Sequence, residues 1–364
     1  MFGVDFATRR RSASSTRSGL YLGIDFGAYS LKACRVVQTK QGLRLQQVRV
    51  CPYSSPLSAN DPMGSLERIQ EAIQVSGLVG SRWRPIPIAC TLPSCMTQMR
   101  LLDAPADQEA DQEEMILREL SAEGNDSEEE WLGDYWATDS SASTEVDSPI
   151  GIVGARRNWI EQLISRFEAL GLEPRVIDGS PFTIARAMRR ERGDCELQAA
   201  LDIGYEGALF VFVRRGLPKY FRVLRGCGIR GVVEAIRNGL SISEKDSHQF
   251  LKACSQASRR PSADSKAVLS TLRDLTAMPL RRLQNEIAKT LDFTRRQGIG
   301  GDLKRVTLLG GGALFPGISP LLEGWTDLDF RPWNAALDEL SETHVDLLPL
   351  MSQAIALAEI ESHG

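Results

Sequence analysis

Two copies of one short pattern constrain this chain more than anything else in it. Leu22-Gly23-Ile24-Asp25-Phe26-Gly27 and Ala200-Leu201-Asp202-Ile203-Gly204 are each an apolar strand that ends in Asp-x-Gly. A second strand follows each copy (Leu31 to Val37; Ala208 to Val213), then a basic glycine turn (Lys40-Gln41-Gly42; Arg214-Arg215-Gly216) and a third strand. Two such meanders imply a duplicated core, and 364 residues are enough for two or three domains.

The residue types at these turns suit a phosphate. Gly27 and Gly204 let the backbone approach closely, and successive N–H groups there form an anion-binding nest. Asp25 and Asp202 add carboxylates that would repel phosphates unless Mg²⁺ sat between them, held through water because Mg²⁺ dehydrates reluctantly. Either Asp-x-Gly alone is equally an ordinary hairpin turn; the pair points to a Mg-nucleotide cleft. A third element, Val306 to Ala313, is an apolar strand running into Gly310, Gly311 and Gly312, where bare backbone can pack against a nucleoside or simply turn into a helix.

Charge and composition exclude other classes. A net charge of −4 gives no global attraction to nucleic acid. The one basic cluster, Arg9-Arg10-Arg11 with Arg17, lies in residues 1–18, a disordered tail by composition, with anionic lipid as its alternative partner. Seven cysteines without C-x-x-C spacing and three histidines form no metal-ligand pattern and read as reduced thiols of a cytosolic protein. No apolar run approaches the roughly 20 residues that span a bilayer.

Between the two copies, periodicity predicts a helix near Leu66 to Val79, with Leu66, Ile69, Ile73 and Val75 on one face, and a strand at Ile86 to Leu92. Composition turns acidic after about Thr97. A helix is expected from about Asp107 to Ala122, strands at Trp131 to Trp136 and Ile150 to Ala155, a polar loop at Asp139 to Ser148, and a helix from Trp159 to Leu170 closed by Gly171. Val176-Ile177-Asp178 then reads as a strand and Pro181 as a helix start. In the second half, helices run from Cys227 to Lys252 on Ile236, Leu240 and Ile242, Pro279 is expected to break the stretch from Asp264 to Arg296 in two, and a C-terminal helix covers about Leu347 to Ile360. The last carries no lysine or arginine, unlike a membrane-targeting helix.

Met1-Phe2-Gly3, Asp25-Phe26-Gly27, Val176 to Ala187, Asp202-Ile203-Gly204, Glu286 to Phe293 and Leu308 to Gly312 together resemble the PilM family of type IV pilus assembly proteins, which lies within the actin-like ATPase superfamily and has the cell-division protein FtsA as a relative. The resemblance implies an α/β fold of duplicated actin-like (ribonuclease H-like) halves around a nucleotide cleft, with an inserted α+β subdomain. The boundaries are then a basic tail at 1–18, a first half at 19–96 and 173–194, an insert at 97–172, a second half at 195–345, and a helix at 346–364 that docks on the first half.

ATP and Mg²⁺ are the implied ligands. Asp25 and Asp202 would hold Mg²⁺ through water, Gly27, Ala28, Tyr29, Gly204 and Tyr205 would offer backbone donors, and Ser30 and Lys32 would be further phosphate contacts, Lys32 being equally an exposed strand lysine. Gly310, Gly311 and Gly312 would pack on the nucleoside. Glu286 would reach the ribose or stand as a surface glutamate, and Asp178 would orient attacking water or cap a helix.

Tyr205-Glu206 after Gly204 and the large Tyr29 depart from the family's small residues, so slow or absent turnover is expected. Asp25→Ala is expected to abolish Mg-dependent nucleotide binding without unfolding the chain. The implied partner is the cytoplasmic N-terminus of a PilN-like inner-membrane protein, received by the insert, whose acidic helix and Trp131, Tyr135 and Trp136 are candidate contacts or ordinary core aromatics. Other pilus inner-membrane platform proteins follow from the same resemblance. The protein would be cytoplasmic, reach the membrane through partners, and bind no nucleic acid. A related secretion-assembly role lies within the same reading, and a small-molecule kinase of the same superfamily is the alternative.

Overall fold

The computed structural model describes residues 21–38, 43–81, 83–104, 116, 118–120, 130–138, 148–192, 197–259, 262–334 and 346–360. The chain divides into two compact units, Met1–Ala187 with Leu337–Leu340 and Gln353–Gly364, and Met188–Ala336 with Ser341–Ser352.

The first unit is built on β1 (Leu22–Phe26), β2 (Ser30–Gln38), β3 (Leu43–Pro52), β4 (Ile86–Thr91) and β8 (Leu172–Asp178), in the order β3-β2-β1-β4-β8. β1, β2 and β3 pair antiparallel, and β4 and β8 extend the sheet in parallel. Helices α1 (Pro62–Ser76) and α2 (Arg157–Ala169) share a core with the sheet, where Phe26 stacks on Phe167 at 5.7 Å. α1 starts earlier than its apolar periodicity indicates because Asp61 caps it, accepting the Gly64 amide, with Pro62 at the first helical position. It ends at Gly77 in the left-handed region, so Val79 lies beyond it. Val75 is 84% exposed, not on the buried face: nine residues after Leu66, it falls half a turn away.

An antiparallel sheet of β5 (Gln98–Ala104), β6 (Trp131–Ala137) and β7 (Ser148–Arg156), ordered β5-β7-β6, interrupts this framework. Ile116 and residues 118–120 are helical, and Ile116 and Leu120 pack with Trp131, Ile150 and Ile152. The rest of the expected acidic helix, most of the polar loop after Asp139 and the turn at Lys40 lie outside the described residues, as do Met1-Phe2-Gly3 and the basic tail.

The second unit repeats the first sheet strand for strand. β9 (Gln198–Ile203), β10 (Gly207–Arg214), β11 (Leu217–Arg225), β12 (Arg305–Leu309) and β13 (Asp329–Pro332) run in the order β11-β10-β9-β12-β13. Pairing is again antiparallel across β9, β10 and β11 and parallel across β12 and β13, so the fold is a duplicated actin-like one. The β10–β11 turn places Arg215 and Gly216 at φ 52° and 75°, the primed geometry that matches strand twist.

After α3 (Ser180–Arg192), which leads out of the first unit, the second unit carries α4 (Ile229–Leu240), α5 (Glu244–Arg259), α6 (Ala263–Arg296), the short α7 (Ile318–Glu323) and the start of α8 (Leu348–Ala358). Pro279 does not divide α6. One lost backbone bond is outweighed because both flanks, through Leu272, Leu280, Leu283 and Ile287, are buried in one core, and Gly231 of α4 leaves room for the ring. Ile236 is buried and Ile242 partly buried there, but Leu240, the last residue of α4, is exposed. The final turns of α8 belong to the first unit. A Cβ at Gly23 would overlap Ala354 and Ala358, and Leu357 packs with Tyr21 and Ala89.

Candidate functional site

In the first unit the polar residues of interest form one row across the sheet. Register places Lys32 of β2 opposite Asp25 of β1, extends Asp25 to Thr91 of β4, and pairs Thr91 with Asp178 of β8. Adjacent strands lie about 4.8 Å apart, so Asp25 and Asp178 are roughly 10 Å apart along the row. The corresponding pair in the second unit is Asp202 with Leu209, so only the first copy carries a lysine there.

Lys32 is buried, not an exposed strand lysine, and its Nζ donates to Asp25 Oδ2 at 2.9 Å. Thr91 Oγ1 donates to Asp25 Oδ1 at 3.2 Å and accepts the Phe26 amide at 3.2 Å. Thr91 was not singled out in the sequence; the only signal for it is a threonine closing a buried parallel strand beside an Asp-x-Gly turn. A Cβ at Gly27 would overlap Lys32 Nζ, the tip of a side chain that Asp25 holds, so glycine suits this close approach. The amides of Tyr53 and Leu57 donate to the carbonyls of Tyr29 (3.0 Å) and Ala28 (2.7 Å). In a trans peptide C=O and the next N–H are antiparallel, so this strap turns the N–H groups of Tyr29 and Ser30 the opposite way. Ser30 and Ala28 are buried in the same hairpin.

Asp178 is committed to the start of α3. It accepts the Gly179 amide at 2.9 Å and the Thr183 hydroxyl at 3.4 Å, and Arg186 lies 3.2 Å away. Burial pushes its carboxyl above the ordinary carboxylate range, opposed by Arg186 and these hydrogen bonds. Trp136 of β6 meets Phe182 edge-on at 4.6 Å, whereas Trp131 is buried in the insert's own core; Tyr135 is partly buried against the same core.

The second unit joins the second loop to the third element. β12 pairs Leu309 with Asp202, and Gly310, at φ 78° and ψ −178°, leaves space that a Cβ would take from Asp202 Oδ1. The Gly310 amide donates to Pro349 O at 2.9 Å, Gly312 lies against Ile203, and Gly311 is exposed near Leu350. The first amides of α4 close on the loop: Ile229 donates to Gly204 O at 3.0 Å and Arg230 to Tyr205 O at 2.9 Å.

The two bulky departures are both tied to neighbouring helices. Tyr205 Oη donates to Glu244 Oε1 at 2.9 Å and its ring stacks on His248 at 6.1 Å, while Glu206 is paired with Arg230 at 3.1 Å. Burial holds the His248 imidazole below its ordinary value, against the pull of Glu244. Glu286 is held by Lys289 and Arg222, both at 2.6 Å, and not by the loop residues; the Lys289 hydrogen bond leads the causes that keep its carboxyl below the ordinary range.

Among the described residues no group of three or more His, Cys, Asp or Glu side chains is placed to hold a metal by itself, and no helix is long and apolar enough to cross a membrane. Asp25 still fits a hydrated cation. A carboxylate offers about four acceptor positions, of which Thr91 and Lys32 take one each.

The model of the family described as type IV pilus assembly protein PilM matches residues 23–334. No curated protein matches the chain. Among solved structures, a chain of the PilM-PilN type IV pilus biogenesis complex superposes with a TM-score of 0.72 at 20% identity, over 94% of this chain and 98% of that one. The ethanolamine utilization protein EutJ from Carboxydothermus hydrogenoformans gives 0.52 at 12% identity over 95% and 91%. MreB 5 of Spiroplasma citri, bound to AMPPNP, gives 0.51 at 12% identity over 93% and 96%. These likenesses show the fold, and the family model carries the assignment: the chain belongs to the type IV pilus assembly protein PilM family.

Proposed function

We propose that this protein is a cytoplasmic, nucleotide-binding scaffold of type IV pilus assembly that binds the cytoplasmic N-terminus of a PilN-like inner-membrane protein. The observation that carries the reading is the likeness over nearly both full chains to a chain of the PilM-PilN complex, joined to the family match. Contacts to other inner-membrane platform proteins belong to the same reading, and association with the membrane is through these partners.

ATP is the proposed ligand of the two Asp-x-Gly loops. The N–H groups of Tyr29 and Ser30, turned away from the Tyr53–Leu57 strap, suit a phosphate, and Lys32 supplies a cation beside them. Asp25 and Asp202 would hold Mg²⁺ through its water shell, and the ion, when bound, would neutralise phosphate charge. Gly204 and Tyr205 contribute backbone, with the Tyr205 ring drawn onto α5, and Gly310, Gly311 and Gly312 bare backbone for the nucleoside. Glu286 and Asp178, each engaged by its own ion pair, act as supports of α6 and α3. Differential affinity for two bound states is enough for a switch, and slow turnover is expected.

The test is capture. Purified protein loaded with Mg-ATP should retain, from detergent-extracted membranes of its source, a single-span protein with a short cytoplasmic N-terminus, and removing nucleotide should change that retention. Failure to retain any such protein would contradict the scaffold; retention indifferent to nucleotide would contradict the switch.

A further inference from the structure

Three exposed apolar side chains of the first unit lie at and just beyond the end of α1. Trp83 sits in a tight turn closed by the Ser81–Arg84 bridge and is 93% exposed; Val75 is 84% and Val79 46% exposed within the same nine residues. The turn is firmly rooted. Gly80 donates its amide to Leu170 O and Ile86 to Gly171 O, both at 2.9 Å, so the exposed segment stands on the end of α2.

Two arginines without a carboxylate partner among the described residues, Arg84 and Arg49, accompany these apolar side chains. Arginines on this protein commonly face a carboxylate, as in Arg68–Asp61, Arg230–Glu206 and Arg305–Asp329. Arg84, next to Trp83, makes no side-chain hydrogen bond or ion pair among the described residues. Arg49 spends its guanidinium on the carbonyls of Val48 and Ser76, the latter adjacent to Val75, and faces no carboxylate among the described residues. Both side chains are exposed.

We propose that the Trp83 turn, with Val75, Val79, Arg49 and Arg84, is a lipid-contacting tip that enters the interface of a bilayer containing anionic lipid. An indole that stands clear of its own surface suits a deformable medium. Tryptophan favours the headgroup level, where its apolar ring is buried and its N–H stays wet. Guanidinium groups without carboxylate partners beside it complement lipid phosphates, adding attraction that salt screens. The tip supplies a direct membrane contact in addition to any partner protein. It is independent of the nucleotide loops.

The test is co-sedimentation of the full chain with vesicles of phosphatidylethanolamine and phosphatidylglycerol, against vesicles of phosphatidylcholine alone. The wild type should bind the anionic vesicles and bind the neutral ones far less. Trp83→Ala should weaken anionic binding on the order of tenfold, and Arg84→Gln about fivefold. Both side chains are exposed, so unchanged circular dichroism should confirm that the variants fold. No binding by the wild type would overturn the proposal. Equal binding by wild type and Trp83→Ala would also overturn it and transfer lipid contact to the arginine-rich tail. Retention of a membrane protein through Trp83 without lipid binding would overturn it in favour of a protein partner.

Discussion

Lys32 Nζ lies 2.9 Å from Asp25 Oδ2 across adjacent strands, with each side chain only 10% exposed. The pair ties the cation and the carboxylate of the first Asp-x-Gly loop to each other before any ligand is considered. It also changes what a truncation does. Removing one partner leaves the other charge buried, at about 3–5 kcal/mol. Lys32→Met is therefore expected to lower the urea midpoint strongly. Asp25→Ala is expected to lose stability as well as nucleotide. Asp25→Asn also leaves the Lys32 charge uncompensated but keeps the shape and one acceptor, so it should lose less stability, and its binding is read on protein that circular dichroism shows to be folded.

Thr91 links two neighbours at once, donating to Asp25 and accepting the Phe26 amide. Thr91→Val keeps the volume and removes both bonds in a buried setting. The expected loss is about 1–3 kcal/mol, read by urea unfolding, with weaker nucleotide binding in calorimetry. Thr91→Ser should recover most of each.

Glu286 gives a pH signature of definite sign. Its folded carboxyl titrates below the ordinary 4.5, chiefly through the Lys289 hydrogen bond. The folded state thus holds the ionised form more tightly than the unfolded chain does. The associated stability is present above about pH 4.5 and is lost as pH falls through the lower folded value. Glu286→Gln is expected to flatten this acid limb in urea midpoints measured across pH, while a Lys289→Met variant should flatten it in part.

Pro279 interrupts the hydrogen-bond ladder of a 34-residue helix without ending it. Pro279→Ala restores an amide donor and keeps the Cβ that faces Gly231. A gain of about 1–3 kcal/mol is expected, seen as a higher thermal midpoint. A loss would mean that the ring itself is needed by the packing of α4 on α6.

The duplicated sheets were legible because their signals are local: an apolar strand, an Asp-x-Gly turn and a two-residue basic glycine hairpin each lie within a few neighbouring residues. The strand and helix start around Asp178 and Pro181 were legible for the same reason. Residues whose roles depend on distant pairing were not. Thr91 acquires its function from strand β1, 65 residues away at Phe26, and the burial of Lys32 depends on the sheet that closes over it. Val75 is apolar but lies nine residues after Leu66, half a turn from the buried face, so apolar content alone does not give its orientation. Pro279 reads as a breaker in any local window; the shared core on both sides of it is a tertiary fact. Tyr205 and Glu206 read as obstacles beside a phosphate loop, and only the positions of Glu244 and Arg230 show where their side chains go.

The measurement that tests the central claim most directly is a fluorescence-anisotropy titration. A labelled peptide carrying the cytoplasmic N-terminus of the PilN-like protein from the same source would be titrated with this protein, with and without Mg-ATP and with the Asp25→Asn variant alongside. The scaffold account expects saturable one-to-one binding whose affinity shifts with nucleotide in the wild type and shifts less in the variant. A peptide that fails to bind the folded wild-type protein under either condition would contradict it.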